Sequence, residues 1–380
     1  MSPEPEADFA RSRVPSITSG IRHGHLRTTL LTEDGVRIEA AYEPWAGAPG
    51  SADEAHEADH AGSAGGEDRP DSAGGAGSAG GPDSADGPDF TGGQGAGAPP
   101  SAGLAIVVAH GFTGSLHRPA LQRAARTFGR HAAVITFSFR GHGRSGGRST
   151  VGDREVLDLA AAVRWARSLG HTRVATVGFS MGGSVVIRHA ALHRRPAEDA
   201  ADATDRPPAA DAADAADPED RADRADRADA ADAAGRPGRD RNTDARSLPG
   251  THTDAVVAIS APARWYYRGT APMRRLHWVV QRPVGRLVGR FGLRTRIHTK
   301  DWNPVPLSPV EAVPLIPPVP LLIVHGDRDP YFPLDHPHSL AAAAPQGAAE
   351  LWIEEGLGHA ENAAEAVLLH RVADWLVAAG

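Results

Sequence analysis

The sequence predicts an α/β fold, a mostly parallel sheet with helices on both faces, and three observations carry that expectation. Five short runs, GLAIVVAHG (103–111), AAVITFSFRG (132–141), TRVATVGFS (172–180), DAVVAISAP (254–262) and VPLLIVHGD (319–327), have strand length and end in small or polar residues. The first of them is continuously apolar, as in strands buried on both faces. Helical patterns separate most of the runs, and parallel neighbours need such crossover connections.

The remaining elements follow in chain order. Residues 26–43, LRTTLLTEDGVRIEAAYE, read as two strands joined at Asp34-Gly35, a pair suited to the positive φ angles of a hairpin turn. ELWIEEG (350–356) adds a last strand, and AEAVLLHRVADWLVAA (364–379) is an amphipathic closing helix. In open sheets of this kind ligands bind beyond the carboxyl ends of the strands, so chemistry is expected where the runs stop.

Composition fixes how much of the chain takes part. Of 380 residues only 41% are hydrophobic and 43 are glycine. Two tracts concentrate the bias: 47–100 is built almost wholly of Gly, Ala, Ser, Asp, Glu and Pro, and 196–250 repeats Ala-Asp and Arg-Ala-Asp units. Neither holds enough apolar surface for a core, so both are expected to be disordered insertions in surface connections. The other 271 residues make one large domain. The expected division is an N-terminal segment with the hairpin (1–46), the first insertion (47–100), core (101–195), the second insertion (196–250), a core strand (251–262), a cap (263–316) and core again (317–380).

The tracts together carry −16 of a chain whose formal charge is −7. Residues 261–300 hold nine Arg, one Lys and no acid, so a charge of +10 sits in that segment alone. Cysteine is absent, which excludes a disulfide framework, a thiolate nucleophile and Cys-based metal sites. The start, MSPEPEADFARSR, lacks the basic flank and apolar run of a signal peptide, and no apolar stretch approaches membrane-spanning length. A cytoplasmic protein is the expectation.

The sharpest chemical signal is Gly178-Phe179-Ser180-Met181-Gly182-Gly183, directly after a strand run and before the helical pattern SVVIRHAALHRR. This is G-x-S-x-G between strand and helix, the nucleophile elbow. Gly178 and Gly182 are needed where strand and helix leave no room for a Cβ. With it, the chain resembles the α/β-hydrolase superfamily, and within that the bacterial monoglyceride-lipase and serine-aminopeptidase-like esterases, across the 271 unbiased residues. The resemblance implies an α/β-hydrolase fold and a nucleophile, an acid and a histidine in that chain order. Ser180 is the nucleophile. The family pattern near the late strand, with Gly326 and Pro333, selects Asp329 as the acid, with Asp327 as runner-up. His359, in the loop Gly356-Leu357-Gly358-His359 after the last strand, is the base. The oxyanion is expected to meet the backbone N–H of Met181 and, by resemblance, that of Phe112 in His110-Gly111-Phe112-Thr113-Gly114, with Gly111 permitting the turn.

Gly141-His142-Gly143-Arg144-Ser145-Gly146 fits a dinucleotide fingerprint, but no helix opens after it, so 140–146 is read as a structural turn. Residues 261–314 sit where the family often inserts a cap. Arg282, Arg286 and Arg290 recur every four residues, and Val284, Leu287, Val288 and Phe291 lie on other faces. The expectation is a solvated basic face over an apolar underside that covers the acyl pocket. The alternatives are attraction to anionic lipid or substrate, and docking of the acidic tracts on the cap.

Together these features point to a serine hydrolase that cleaves carboxylic esters of small to medium acyl chains through an acyl-enzyme. No metal or organic cofactor, no nucleic-acid partner and no transmembrane segment are expected. Cleavage of amides or thioesters, cofactor-free perhydrolysis, and a non-catalytic binding module on the same fold are the alternatives.

Overall fold

A computed structural model of the chain describes residues 24–47, 103–195 and 249–379. The expected insertions 47–100 and 196–250 lie outside the described residues apart from Gly47, Pro249 and Gly250.

Apolar runs become strands where the expectation put them. The hairpin is β1 (Leu26–Leu31) and β2 (Arg37–Glu43), paired from Leu26 with Tyr42 to Leu31 with Arg37, with Gly35 at φ +79° in the five-residue turn. Then come β3 (Leu104–Ala109), β4 (Ala133–Phe137), β5 (Arg173–Phe179), β6 (Ala255–Ile259), β7 (Leu321–Gly326) and β8 (Ala349–Glu354). They form one 8-stranded sheet in the order β1-β2-β4-β3-β5-β6-β7-β8. β2 pairs antiparallel with both of its neighbours, and all pairs from β4 through β8 are parallel.

The helices are α1 (Pro119–Phe128), α2 (Glu155–Ser168), α3 (Met181–Leu192), α4 (Ala271–Gln281), α5 (Pro283–Phe291), α6 (Pro309–Ala312), α7 (Asp335–Ala343), α8 (Ala360–Ala363) and α9 (Ala366–Ala378). Successive residues of a strand point to opposite faces, so β3 feeds two cores. Leu104, Ile106 and Val108 pack with Leu121 and Phe128 of α1 and with Leu369 and Val372 of α9. Ala105, Val107 and Ala109 pack with Leu159 and Val163 of α2 and Val185 and Val186 of α3. All six β3 side chains are buried, which is why the run is apolar without alternation.

Two features of this frame matter later. The described segments break off at Gly47, Gly103, Arg195 and Pro249, and all four flank the edge where the parallel strands begin. Ala46 donates to the Gly129 carbonyl in the turn before β4, and Arg195 pairs with Asp254 just before β6. Second, α4 and α5 occupy the cap region between β6 and β7, and here the expected underside is corrected. Along α5 the buried residues are Gly285 and Gly289, while Val284, Leu287, Val288 and Phe291 are exposed. The glycines take the inner face because backbone approaches too closely for side chains: a Cβ on Gly285 would collide with the Trp278 carbonyl.

Candidate active site

The chain turns abruptly from β5 into α3 at Ser180, which has φ 52° and ψ −114°, a conformation that a non-glycine residue holds only under constraint. The constraint is close packing. A Cβ on Gly178 would collide with the Gly182 carbonyl, and one on Gly182 would collide with the Ala109 carbonyl at the end of β3. Ser180 therefore stands at the carboxyl edge of the sheet, at the N-terminus of α3.

The loops after β7 and β8 deliver their side chains to the same point. The Ser180 hydroxyl donates to His359 Nε2 at 2.9 Å, and His359 Nδ1–H donates to Asp329 Oδ2 at 2.7 Å. The tautomer follows from the partners: an ionised carboxylate only accepts, so Nδ1 carries the proton and Nε2 is free to accept. Asp329 is fully buried, and its other oxygen accepts the N–H groups of Tyr331 at 2.8 Å and Phe332 at 3.1 Å. Burial alone would raise its pKa. The hydrogen bond and charge of His359, with the two backbone donors, outweigh that and hold the carboxyl below its ordinary value. Tyr331 also stacks on the His359 ring, with centroids 4.2 Å apart and planes at 28°.

Asp327, the runner-up, is turned elsewhere: its carboxylate accepts the Gly356 N–H at 2.7 Å and so ties the turn after β7 to the loop before His359. His325, buried at the end of β7, donates Nε2–H to the Phe332 carbonyl at 2.9 Å and steadies the segment that holds Asp329. Burial depresses its pKa, which keeps the ring neutral beside the carboxylate.

The loop after β3 closes over the serine. A Cβ on Gly111 would lie 3.4 Å from Ser180 Cβ, which places this glycine against the serine. His110 fixes the loop from inside, accepting the Phe139 N–H on Nε2 at 3.0 Å and donating Nδ1–H to the Gly111 carbonyl at 2.7 Å. Among the described residues the Phe112 N–H has no recorded acceptor. Met181 opens α3, and the first N–H groups of a helix have no partner within it. One contact escaped the sequence. Glu361, buried two residues beyond His359, accepts the Gly111 N–H at 3.1 Å, while its carbonyl accepts from Arg123 of α1. It anchors the β3 loop to the His359 loop.

The 140–146 turn is structural. The Arg140 guanidinium bonds both Asp34 and the buried Asp158, and Gly141 approaches the Arg296 carbonyl too closely for a Cβ.

Beside Ser180 opens a pocket of about 140 Å³. Phe112, Trp265, Tyr267, Trp302 and Phe332 give it aromatic walls, and Met273, Leu276 and Val280 of α4 form its apolar roof. Among the described residues no three His, Asp or Glu side chains are grouped to hold a metal ion, and no helix is long and apolar enough to cross a membrane.

A family model described as the alpha/beta hydrolase fold matches residues 105–360. Among curated proteins none matches the chain. Of solved structures, the esterase Pf2001 of Pyrococcus furiosus is similar with a TM-score of 0.50 at 16% identity, covering 93% of this chain and 90% of that one. The esterase domain of a Rhodothermus marinus protein reaches 0.46 at 13% identity, covering 93% and 96%. Est1E of Butyrivibrio proteoclasticus, with ferulic acid bound, reaches 0.43 at 14%, covering 92% and 96%. At these identities the likeness is one of fold.

Proposed function

Because the chain belongs to the α/β-hydrolase fold family, we propose that it is a serine hydrolase that cleaves carboxylic esters through an acyl-enzyme, with Ser180 as nucleophile, His359 as base and Asp329 as the orienting acid. The observation that carries this reading is the unbroken chain of two hydrogen bonds from Ser180 through His359 to Asp329, drawn from the ends of three different strands.

In the first half-reaction Ser180 Oγ attacks the ester carbonyl carbon and its proton passes to His359 Nε2. Asp329 stabilises the imidazolium so formed. The tetrahedral oxyanion lies against the N–H groups of Phe112 and Met181, at the positive end of α3. Collapse breaks the bond to the alkoxy group, which leaves as the alcohol with the proton from His359. Water then attacks the acyl-enzyme, gives its proton to His359, and the acid leaves as Ser180 recovers its proton.

The pocket supports small acyl groups. Its volume of about 140 Å³ is close to that of an engineered apolar cavity that takes up one benzene ring. A chain-length series of nitrophenyl esters tests both claims. The expected kcat/KM peaks at about four to six acyl carbons and falls for longer chains, and Ser180→Ala lowers turnover by about five orders of magnitude. A folded protein whose Ser180 resists a fluorophosphonate probe under conditions that label a control esterase would make the chain a binding module instead. Amide or thioester turnover exceeding ester turnover through the same serine would move the substrate class.

A further inference from the structure

We infer that the outer face of the cap is a docking surface for an anionic lipid membrane, with α5 lying on the bilayer. The helix is built inside out. Gly285 and Gly289, one turn apart, form its buried face, packed on Trp278 and Val279 of α4 and on Ile297. A Cβ on Gly289 would lie 3.0 Å from Ile297 Cδ1. Those contacts lock the rotation of α5 and turn its large apolar side chains to solvent. Val284 is 61% exposed, Leu287 55%, Val288 45% and Phe291 73%, and Trp278 of α4 is itself 47% exposed. A contiguous exposed set of this kind marks an interaction surface.

Charge selects the occupant. Residues 261–300 carry nine Arg, one Lys and no acid. Arg282 and Arg290 bracket the apolar residues in sequence, the Arg290 guanidinium lies 5.4 Å from the centre of the Phe291 ring, and just beyond Gly292 Arg294 lines a cleft with Arg118 and Arg144 from two other loops. Among the described residues none of Arg144, Arg282, Arg290 and Arg294 has a carboxylate within ion-pair reach. Exposed aliphatic and aromatic side chains on one face of a helix whose other positions carry arginine are the composition of a helix that lies in the headgroup layer, where phosphates meet the guanidinium groups and acyl chains receive Phe291 and Leu287. A second copy of the chain brings an equally basic cap, and the two repel. The acidic tracts 47–100 and 196–250 have the right charge, but Phe90 and Leu248 are their only large apolar residues, too few to cover this face.

Sedimentation of the full-length chain with vesicles tests the inference. Vesicles of phosphatidylcholine with about 30% phosphatidylglycerol are expected to bind at least about tenfold more tightly than phosphatidylcholine alone. The double substitution Leu287→Ser/Phe291→Ser is expected to lower that binding about tenfold or more, and Arg282→Gln/Arg290→Gln to remove most of its salt dependence. None of these four side chains lines the pocket, so hydrolysis of a soluble ester stays unchanged and reports that each variant is folded. Equal vesicle binding by the apolar variant and the wild type overturns the inference, as does absence of sedimentation with either vesicle. A dimer that the apolar variant dissociates assigns the face to a second copy.

Discussion

Asp329 illustrates how single residues set the chemistry. Its folded pKa lies below the ordinary carboxyl value, so its support for His359 is complete above that ordinary value and fades only as pH falls through the lower, folded one. Asp329 therefore stays ionised across the working range. In the proposed mechanism Ser180 passes its proton to His359, and the ionised Asp329 is what stabilises the imidazolium so formed. Asp329→Asn keeps the shape but frees the imidazole to take the wrong tautomer. The expected loss in kcat is about ten-thousand-fold with little change in thermal midpoint, read from steady-state kinetics beside a melting curve. Glu361→Ala removes the acceptor of the Gly111 N–H. The expected outcome is a kcat roughly tenfold lower at nearly constant KM, about the value of one buried hydrogen bond that positions the loop; an unchanged kcat would mean that the loop holds itself. Ser180 and His359 were legible because glycines mark the turns that carry them. Glu361 was not, since its partner lies 250 positions away and no local pattern announces such a pair.

At the scale of elements, strands were the legible part. A strand buried on both faces must be apolar nearly throughout; β3 and β6 obey that rule residue by residue, while β5 admits Arg173 at its start and a buried Thr176, and β7 admits His325 near its end. The elbow adds a steric requirement. Gly182→Ala drives a methyl into the Ala109 carbonyl, and because both sides are backbone nothing can yield. A loss of about 3 kcal/mol or more in unfolding free energy is expected, together with loss of activity, and denaturant titration measures it. Wild-type stability in this variant would mean that strand and helix can separate without cost. The cap was the element that sequence misread. Periodicity tells that α5 is amphipathic but not which face turns inward. Two glycines packed tightly against α4 and Ile297 outweighed four apolar side chains, because close backbone packing gains contacts that branched residues would block.

At the scale of the whole molecule, buried histidines dominate the response to pH. Burial depresses the pKa of His110 to about 3 and those of His142, His193 and His336 to about 4. Hydrogen bonding agrees for His142, which accepts the Thr113 N–H on Nε2 and donates Nδ1–H to the Arg140 carbonyl, so a second proton has no acceptor. The unfolded chain takes up these protons near pH 6.5, whereas the folded chain does so only near its depressed values. Their contribution is complete above about pH 6.5 and is lost as pH falls toward 4, at about 1 kcal/mol per histidine by pH 5.5. Unfolding midpoints in denaturant at pH 7.5 and 5.5 should therefore differ clearly, and equal midpoints would mean that these rings titrate normally in the fold. None of this was legible, because 19 histidines look alike until burial sorts them.

The four points where the described segments break off all flank the edge where the parallel strands begin, whereas Ser180, Asp329 and His359 stand at the edge where they end. Both joints therefore stand at the edge of the sheet opposite Ser180. Those two joints are the natural places to graft a fluorescent domain or an affinity tag, and the same layout explains how a chain can accumulate more than a hundred residues of biased composition while its working face keeps the dimensions of a small hydrolase.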